Sequence, residues 1–288
     1  MIIFFDPLCL EFSHSGHPER PARVADSERL LKKRHPNWEW RKPSATSKSA
    51  LLRAHSADHL AAIAGRAKDF DADTPVYSNI YEYASRSAGA ARDAARAALH
   101  DARAFSLMRP PGHHATRDRA MGFCYFNNIA VAALDAIESG AERVAIWDFD
   151  AHHGNGTEAI VADNPQIACA SIHQFPAYPG TGTKSFANID NYVVAPHTAR
   201  AEHVDAAERA LKKLVELKPD LLLVSAGFDA YAGDPLVQMM LEQADFAKFG
   251  DWLRETGIAT AAILEGGYSD ELPELIDAFL SAWEGEPP

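Results

Sequence analysis

Cysteine is scarce in this chain. Its 288 residues hold three, Cys9, Cys124 and Cys169, too few and too scattered for a disulfide framework or a thiolate zinc site. A reducing, cytoplasmic setting is therefore expected. Long apolar runs are missing too; nothing approaches the ~20 residues that cross a bilayer, so no membrane role is expected. The opening residues Met1 to Asp6 lack the basic segment of a signal peptide and read as a first strand. Basic charge is in deficit. Lysine and arginine number 28 against 40 acids, a formal net charge of −12. That argues against general nucleic-acid binding. It suits cationic substrates, although plain solubility accounts for the bulk figure as well. Repeats, low-complexity tracts and linkers are absent, while length alone permits one domain or two.

What is present is ordinary globular composition, 47% hydrophobic and 24% charged, ample for a sizeable core. One stretch stands out: Trp147-Asp148-Phe149-Asp150-Ala151-His152-His153-Gly154-Asn155-Gly156. It follows the apolar Val144-Ala145-Ile146, which reads as a buried strand. Alternation puts Asp148, Asp150 and His152 on one face. Buried carboxylates are costly unless they are paired or bind metal. Two acids and a histidine converging past a strand end therefore ask for a divalent cation. For a lone aspartate, capping of the next helix would be the better reading.

Along the chain, helices are predicted over residues 22–33, 57–64, 83–100, 127–137, 156–161, 202–217, 245–255 and 271–283. Ser56 is the expected N-cap of the second. Strands are predicted over 2–5, 105–108, 144–149, 167–172, 192–195, 220–225 and 259–264. This alternation predicts a parallel sheet with helices on both faces. In such sheets ligands sit beyond the carboxyl ends of the strands. Five unusual segments fall there: His113-His114, Asp150 to His152, Ser171-Ile172-His173, Gly227-Phe228-Asp229 and Glu265 to Tyr268. Together they describe one pocket.

These segments resemble the zinc-dependent histone deacetylase family, of the arginase/deacetylase fold. The matching pieces are Arg109 to Ala115 (RPPGHHA), Gly122 to Ala130 (GFCYFNNIA), Asp148 to Thr157, Pro179 to Gly182, Ser225 to Pro235 and Glu265 to Tyr268 (EGGY). With His17 to Arg20 (HPER) they span nearly the whole chain. The resemblance implies one α/β domain over residues 1–288, built on a central, mostly parallel sheet of about eight strands flanked by helices. It implies a deacetylase that hydrolyses an N-acetyl amide, with Asp150, His152 and Asp229 holding one Zn2+. Ferrous iron or cobalt would also suit so anionic a site. Asp234, beside Pro235, is expected to be structural.

By the same resemblance His113 and His114 are the general base and acid. Asp148 orients His113, and Asn155 stands behind His114, where many members carry Asp; Asn looks like the class II branch. Tyr268 is the oxyanion donor. Gly122, Phe123, Tyr178 and Leu236 line a narrow channel, and Arg20 serves an internal acetate exit. A K+ site is expected at Asp148, Asp150, His152, Ser171 and Ile172. Acetyl-lysine is the favoured substrate, because Leu236 stands where polyamine-selective relatives place a glutamate. Acetylpolyamines or other small N-acyl amines are the alternative. A manganese ureohydrolase and a non-catalytic binder of acetylated partners are weaker rivals. Asn155 and the His pair speak against the first, and the intact ligands and Tyr268 against the second.

Overall fold

In this computed structural model, which describes residues 1–286, eight strands form one sheet. They are β1 (Ile2–Phe4), β2 (Glu39–Arg41), β3 (Ala104–Ser106), β4 (Val144–Asp148), β5 (Ile167–Gln174), β6 (Ile189–Val194), β7 (Leu221–Ala226) and β8 (Thr260–Leu264). The order is β2-β1-β3-β8-β7-β4-β5-β6. Every neighbouring pair is parallel, so the expected mostly parallel sheet is parallel throughout. The central strands are buried along their whole length, β4 as VAIWD and β7 as LLLVSA. Such runs belong in a sheet covered on both faces.

The helices are α1 (Ala22–Arg34), α2 (Lys48–Ala54), α3 (Ala57–Gly65), α4 (Ile80–Ala98), α5 (Asn128–Glu138), α6 (Asn155–Val161), α7 (Arg200–Glu216), α8 (Gln243–Thr256) and α9 (Leu272–Glu284). Their starts follow side-chain chemistry. Ser56 Oγ accepts the His59 amide at 3.2 Å and begins α3, and Asn127 Oδ1 accepts the Ala130 amide at 2.9 Å and begins α5. In each case an orphan amide of the first turn gains a partner. No helix among the described residues is long and apolar enough to cross a membrane.

Two elements escape the sequence pattern. β2 is a three-residue, largely exposed edge strand, and α2 is only seven residues long; neither has room for a periodic signal. The strand expected over 192–195 begins earlier, at Ile189, where Asp190 and Asn191 resemble a turn. The topology has one consequence for function. Strands β3, β8, β7, β4 and β5 are consecutive across the sheet. Four of the five odd segments therefore emerge along one edge, at neighbouring carboxyl ends; the fifth, Ser171-Ile172-His173, lies inside β5, which runs on to Gln174 instead of ending at residue 172.

Candidate active site

At the end of β4 the backbone folds over its own acids. The Asp150 amide donates to Asp148 Oδ1 at 3.1 Å, and the His152 amide to Asp150 Oδ1 at 2.9 Å. From β7, Asp229 Oδ1 accepts the Ala151 amide at 2.8 Å; from β8, the Gly266 amide donates to Asp150 Oδ2 at 2.7 Å. Asp150, His152 and Asp229 are all buried. Each offers one ligand-type atom, and these atoms lie within 4.8 Å of one another. His152 Nδ1 is 2.7 Å from Asp229 Oδ2 and 3.3 Å from Asp150 Oδ1.

The charge balance supports a cation here. Asp148, Asp150, Asp229 and Glu265 are completely buried. Among the described residues no lysine or arginine side chain pairs with any of them; His113 and His152 are the ion-pair partners of the three aspartates, and Glu265 has none. Burial alone would lower the pKa of His152, but Asp229 and Asp150 outweigh it and push it up to about 10. The pocket is thus built to hold positive charge at that nitrogen. Two carboxylates and an imidazole fit a divalent transition ion with open coordination positions.

The two adjacent histidines differ in charge. His113 Nδ1 lies 3.1 Å from Asp148 Oδ2. Burial opposes its charging, yet Asp150 and Asp148 raise its pKa to about 10. His114 Nδ1 lies 2.7 Å from Asn155 Oδ1. Burial, with His113 and His152 close by, holds His114 well below the ordinary imidazole range. An amide oxygen at Nδ1 calls for the tautomer protonated there, which leaves Nε2 as an acceptor.

A cavity of about 370 Å³ opens onto this centre. Its lining includes His114, His152 and Tyr268, and all four expected channel residues, Gly122, Phe123, Tyr178 and Leu236. Phe123 meets the Tyr268 ring edge-on at 5.6 Å, and Tyr178 meets His114 at 5.1 Å. Gly122 is required: its φ is +55°, and a Cβ there would lie 2.9 Å from the Tyr178 ring. His17 and Asp73 also line the cavity; His17 belongs to the HPER piece, which implies no channel role for it, and nothing in the sequence pattern marks Asp73. A larger cleft, about 470 Å³, lies between Met1, Arg103, Arg254 and Trp283 at the opposite, amino end of the strands, away from this chemistry.

Asp234 stands outside the ligand cluster. Its Oδ2 accepts the Tyr268 amide at 2.7 Å and its Oδ1 the Leu236 amide at 3.0 Å. Burial, then the nearby Asp229, raise its pKa to about 7. Asp148 and Ser171 are register partners on β4 and β5, while the Ser171 hydroxyl also meets His173 Nδ1 at 2.9 Å.

Arg20 requires a correction. Its side chain is 45% exposed and pairs with Asp270 at 2.5 Å, so it serves no internal passage. Arg23 holds the inner position. Its Nε donates to the Gly267 carbonyl at 2.6 Å and its Nη2 to the Glu265 carbonyl at 2.5 Å. Its guanidinium lies 4.7 Å from the Tyr268 ring centroid. The reason is helical: α1 starts at Ala22, and its first turn rotates Arg23 inward while Arg20 stays in the preceding loop.

Comparison with known proteins agrees with the geometry. The family model for the histone deacetylase domain matches residues 17–283. A probable deacetylase of Methanothermobacter thermautotrophicus is 36% identical over 302 residues, covering 99% of this chain and 91% of that protein. Acetylpolyamine amidohydrolase 2 of Pseudomonas aeruginosa is 37% identical over 214 residues, covering 70% of this chain and 62% of that protein. The crystal structure of the HDA15 HD domain superposes with a TM-score of 0.92 at 30% identity, over 99% of this chain and 91% of that one.

Proposed function

This chain belongs to the histone deacetylase family, and from that premise we propose that it hydrolyses the N-acetyl amide of a linear alkyl amine to free amine and acetate. One observation carries the reading. Asp150, His152 and Asp229 converge, and His152 also lines a cavity whose walls include His114 and Tyr268.

In this reading Asp150, His152 and Asp229 hold one zinc ion. Bound there, it would supply Lewis-acid chemistry to the acetyl carbonyl and to a water molecule at neutral pH. The protein groups do the rest. His114, neutral with Nε2 free to accept, takes the proton of the attacking water. His113, kept cationic by Asp148 and Asp150, adds positive charge beside the reacting carbonyl. Tyr268 donates its hydroxyl proton in a hydrogen bond to the developing oxyanion. The imidazole then returns its proton to the leaving amine. A potassium ion against Asp148, Asp150, His152, Ser171 and Ile172 would stiffen the loop that carries the ligands; the β4–β5 register supports that placement.

Acetyl-lysine is the substrate we favour, because Phe123, Tyr178 and Leu236 make an apolar wall suited to an alkyl chain. An acetylated polyamine is the second reading. Asp73 on the cavity wall favours it, and so does the relative named for that activity. The test is acetate release from an acetyl-lysine peptide beside N-acetylputrescine, before and after chelation and zinc add-back. Turnover abolished by the chelator and restored by zinc supports the proposal, and the ratio of rates ranks the substrates. Turnover of neither amide, or urea from arginine, overturns it.

A further inference from the structure

The Glu265 carboxylate is completely buried, lies off the cavity lining and forms no ion pair among the described residues. Its bonds run elsewhere. Oε2 accepts the backbone amides of Gly112 at 2.6 Å and His113 at 3.1 Å, and Oε1 faces Ser225 Oγ at 3.3 Å. Its own carbonyl is held by Arg23 Nη2 at 2.5 Å, and the next amide, Gly266, donates to Asp150 Oδ2 at 2.7 Å. Three positions further on is Tyr268.

Glu265 and its neighbour Gly266, just past β8, thus join three loops: the histidine loop, the ligand loop and the tyrosine loop. The first of these joints is made only by the Glu265 side chain. Burying a carboxylate this deeply costs several kcal/mol unless hydrogen bonds compensate; here two backbone amides of the histidine loop offset part of that cost, and burial still raises the Glu265 carboxyl to about 7. Arg109, at the head of that loop, is tied independently. Its Nε and Nη2 donate to Glu19 at 2.5 and 2.7 Å, and Glu19 pairs with Arg23 at 3.2 Å. The loop is fixed at its start through Glu19 and at its catalytic end through Glu265.

Resting on the deacetylase reading above, we infer that Glu265 is a positioning residue, whose two-amide bond sets the distance from the histidine pair to the metal ligands and Tyr268. It acts by geometry, as an acceptor. Glu265→Gln keeps an oxygen for the two amides and an amino group for Ser225, whereas Glu265→Ala removes the acceptor.

The test combines steady-state kinetics with backbone amide exchange at Gly112 and His113. Glu265→Ala is expected to lower kcat on the order of 100-fold, the scale of an ångström-sized misplacement, with KM and metal content within about threefold of wild type. Exchange at the two amides should accelerate at least about tenfold as their partner is lost. Glu265→Gln should restore both readouts to within about threefold of wild type. Unchanged exchange in Glu265→Ala overturns the inference. So does Glu265→Gln as impaired in kcat as the alanine variant, since charge would then be the operative property. If Glu265→Ala does not fold, the glutamine variant alone decides. A wild type that hydrolyses no acetylated amine would sink the deacetylase reading, and the exchange data would still judge the joint.

Discussion

His114 Nδ1 sits 2.7 Å from Asn155 Oδ1, whereas its neighbour His113 faces the Asp148 carboxylate at 3.1 Å. An amide behind one imidazole and an anion behind the other make chemically different groups of two adjacent histidines. Asn155→Asp would erase the difference. A carboxylate there favours the His114 cation and raises its pKa, while a general base must be neutral. The acid limb of the kcat/KM profile should therefore move to higher pH, by about one unit, with loss of activity concentrated below neutrality. An unshifted limb would show that His114 is not the base.

Tyr268 is packed between Phe123 and Arg23 and held at its amide by Asp234. Its ring would stay in place without the hydroxyl. Tyr268→Phe should lower kcat roughly 100- to 1000-fold, the typical loss of one oxyanion donor, with KM little altered. A loss below about tenfold would remove Tyr268 from the chemistry.

Two aspartates in one segment separate metal binding from loop support. Asp229 belongs to the convergent set, and Asp234 binds only backbone amides. Asp229→Asn should reduce bound zinc well below one per chain and lower the thermal midpoint of the zinc-loaded protein. Asp234→Asn should retain metal and lose activity through Tyr268. Metal analysis of the two dialysed variants decides; equal zinc in both would break the ligand assignment.

How far the sequence could be read follows from what fixes each residue. A spacing of two suggests a common strand face for Asp148, Asp150 and His152, but β4 ends at Asp148. The backbone beyond it folds back onto the carboxylates, so Asp150 and His152 converge through those local amide bonds and not through strand alternation. Asp229 is 77 positions from His152 in the chain, and only the family likeness or the fold joins them. Arg20 and Arg23 look equivalent in the string HPERPAR; the start of α1 at residue 22 was legible, but which side of its first turn meets the Glu265 and Gly267 carbonyls is set by tertiary packing that the string does not carry. His17 and Asp73 reach the cavity through loop packing. The His17 ring meets Phe123 at 4.7 Å, and Thr74 Oγ1 accepts the Phe123 amide at 3.1 Å. No periodicity encodes such contacts. Glu265 is silent for the same reason, because its partners are the backbone amides of a segment about 150 positions away.

Acid sensitivity should trace in part to His203, far from the proposed chemistry. It lies on α7, 2% exposed, and neither ring nitrogen has a partner among the described residues. Burial, only partly offset by Asp245, lowers its pKa to about 4, against about 6.5 in an unfolded chain. Between those values the unfolded state binds the proton and the folded state does not, so stability falls as pH falls. The loss begins near pH 6.5 and is complete near pH 4, where it reaches about 3 kcal/mol. His203→Leu removes both the titration and two unsatisfied nitrogens. The variant should match or exceed wild-type stability at pH 7.5, and its advantage should widen steadily toward pH 5 in urea melts. Parallel stability profiles for the two proteins would mean that His203 finds a proton partner in the folded state, and the buried neutral imidazole would have to be abandoned.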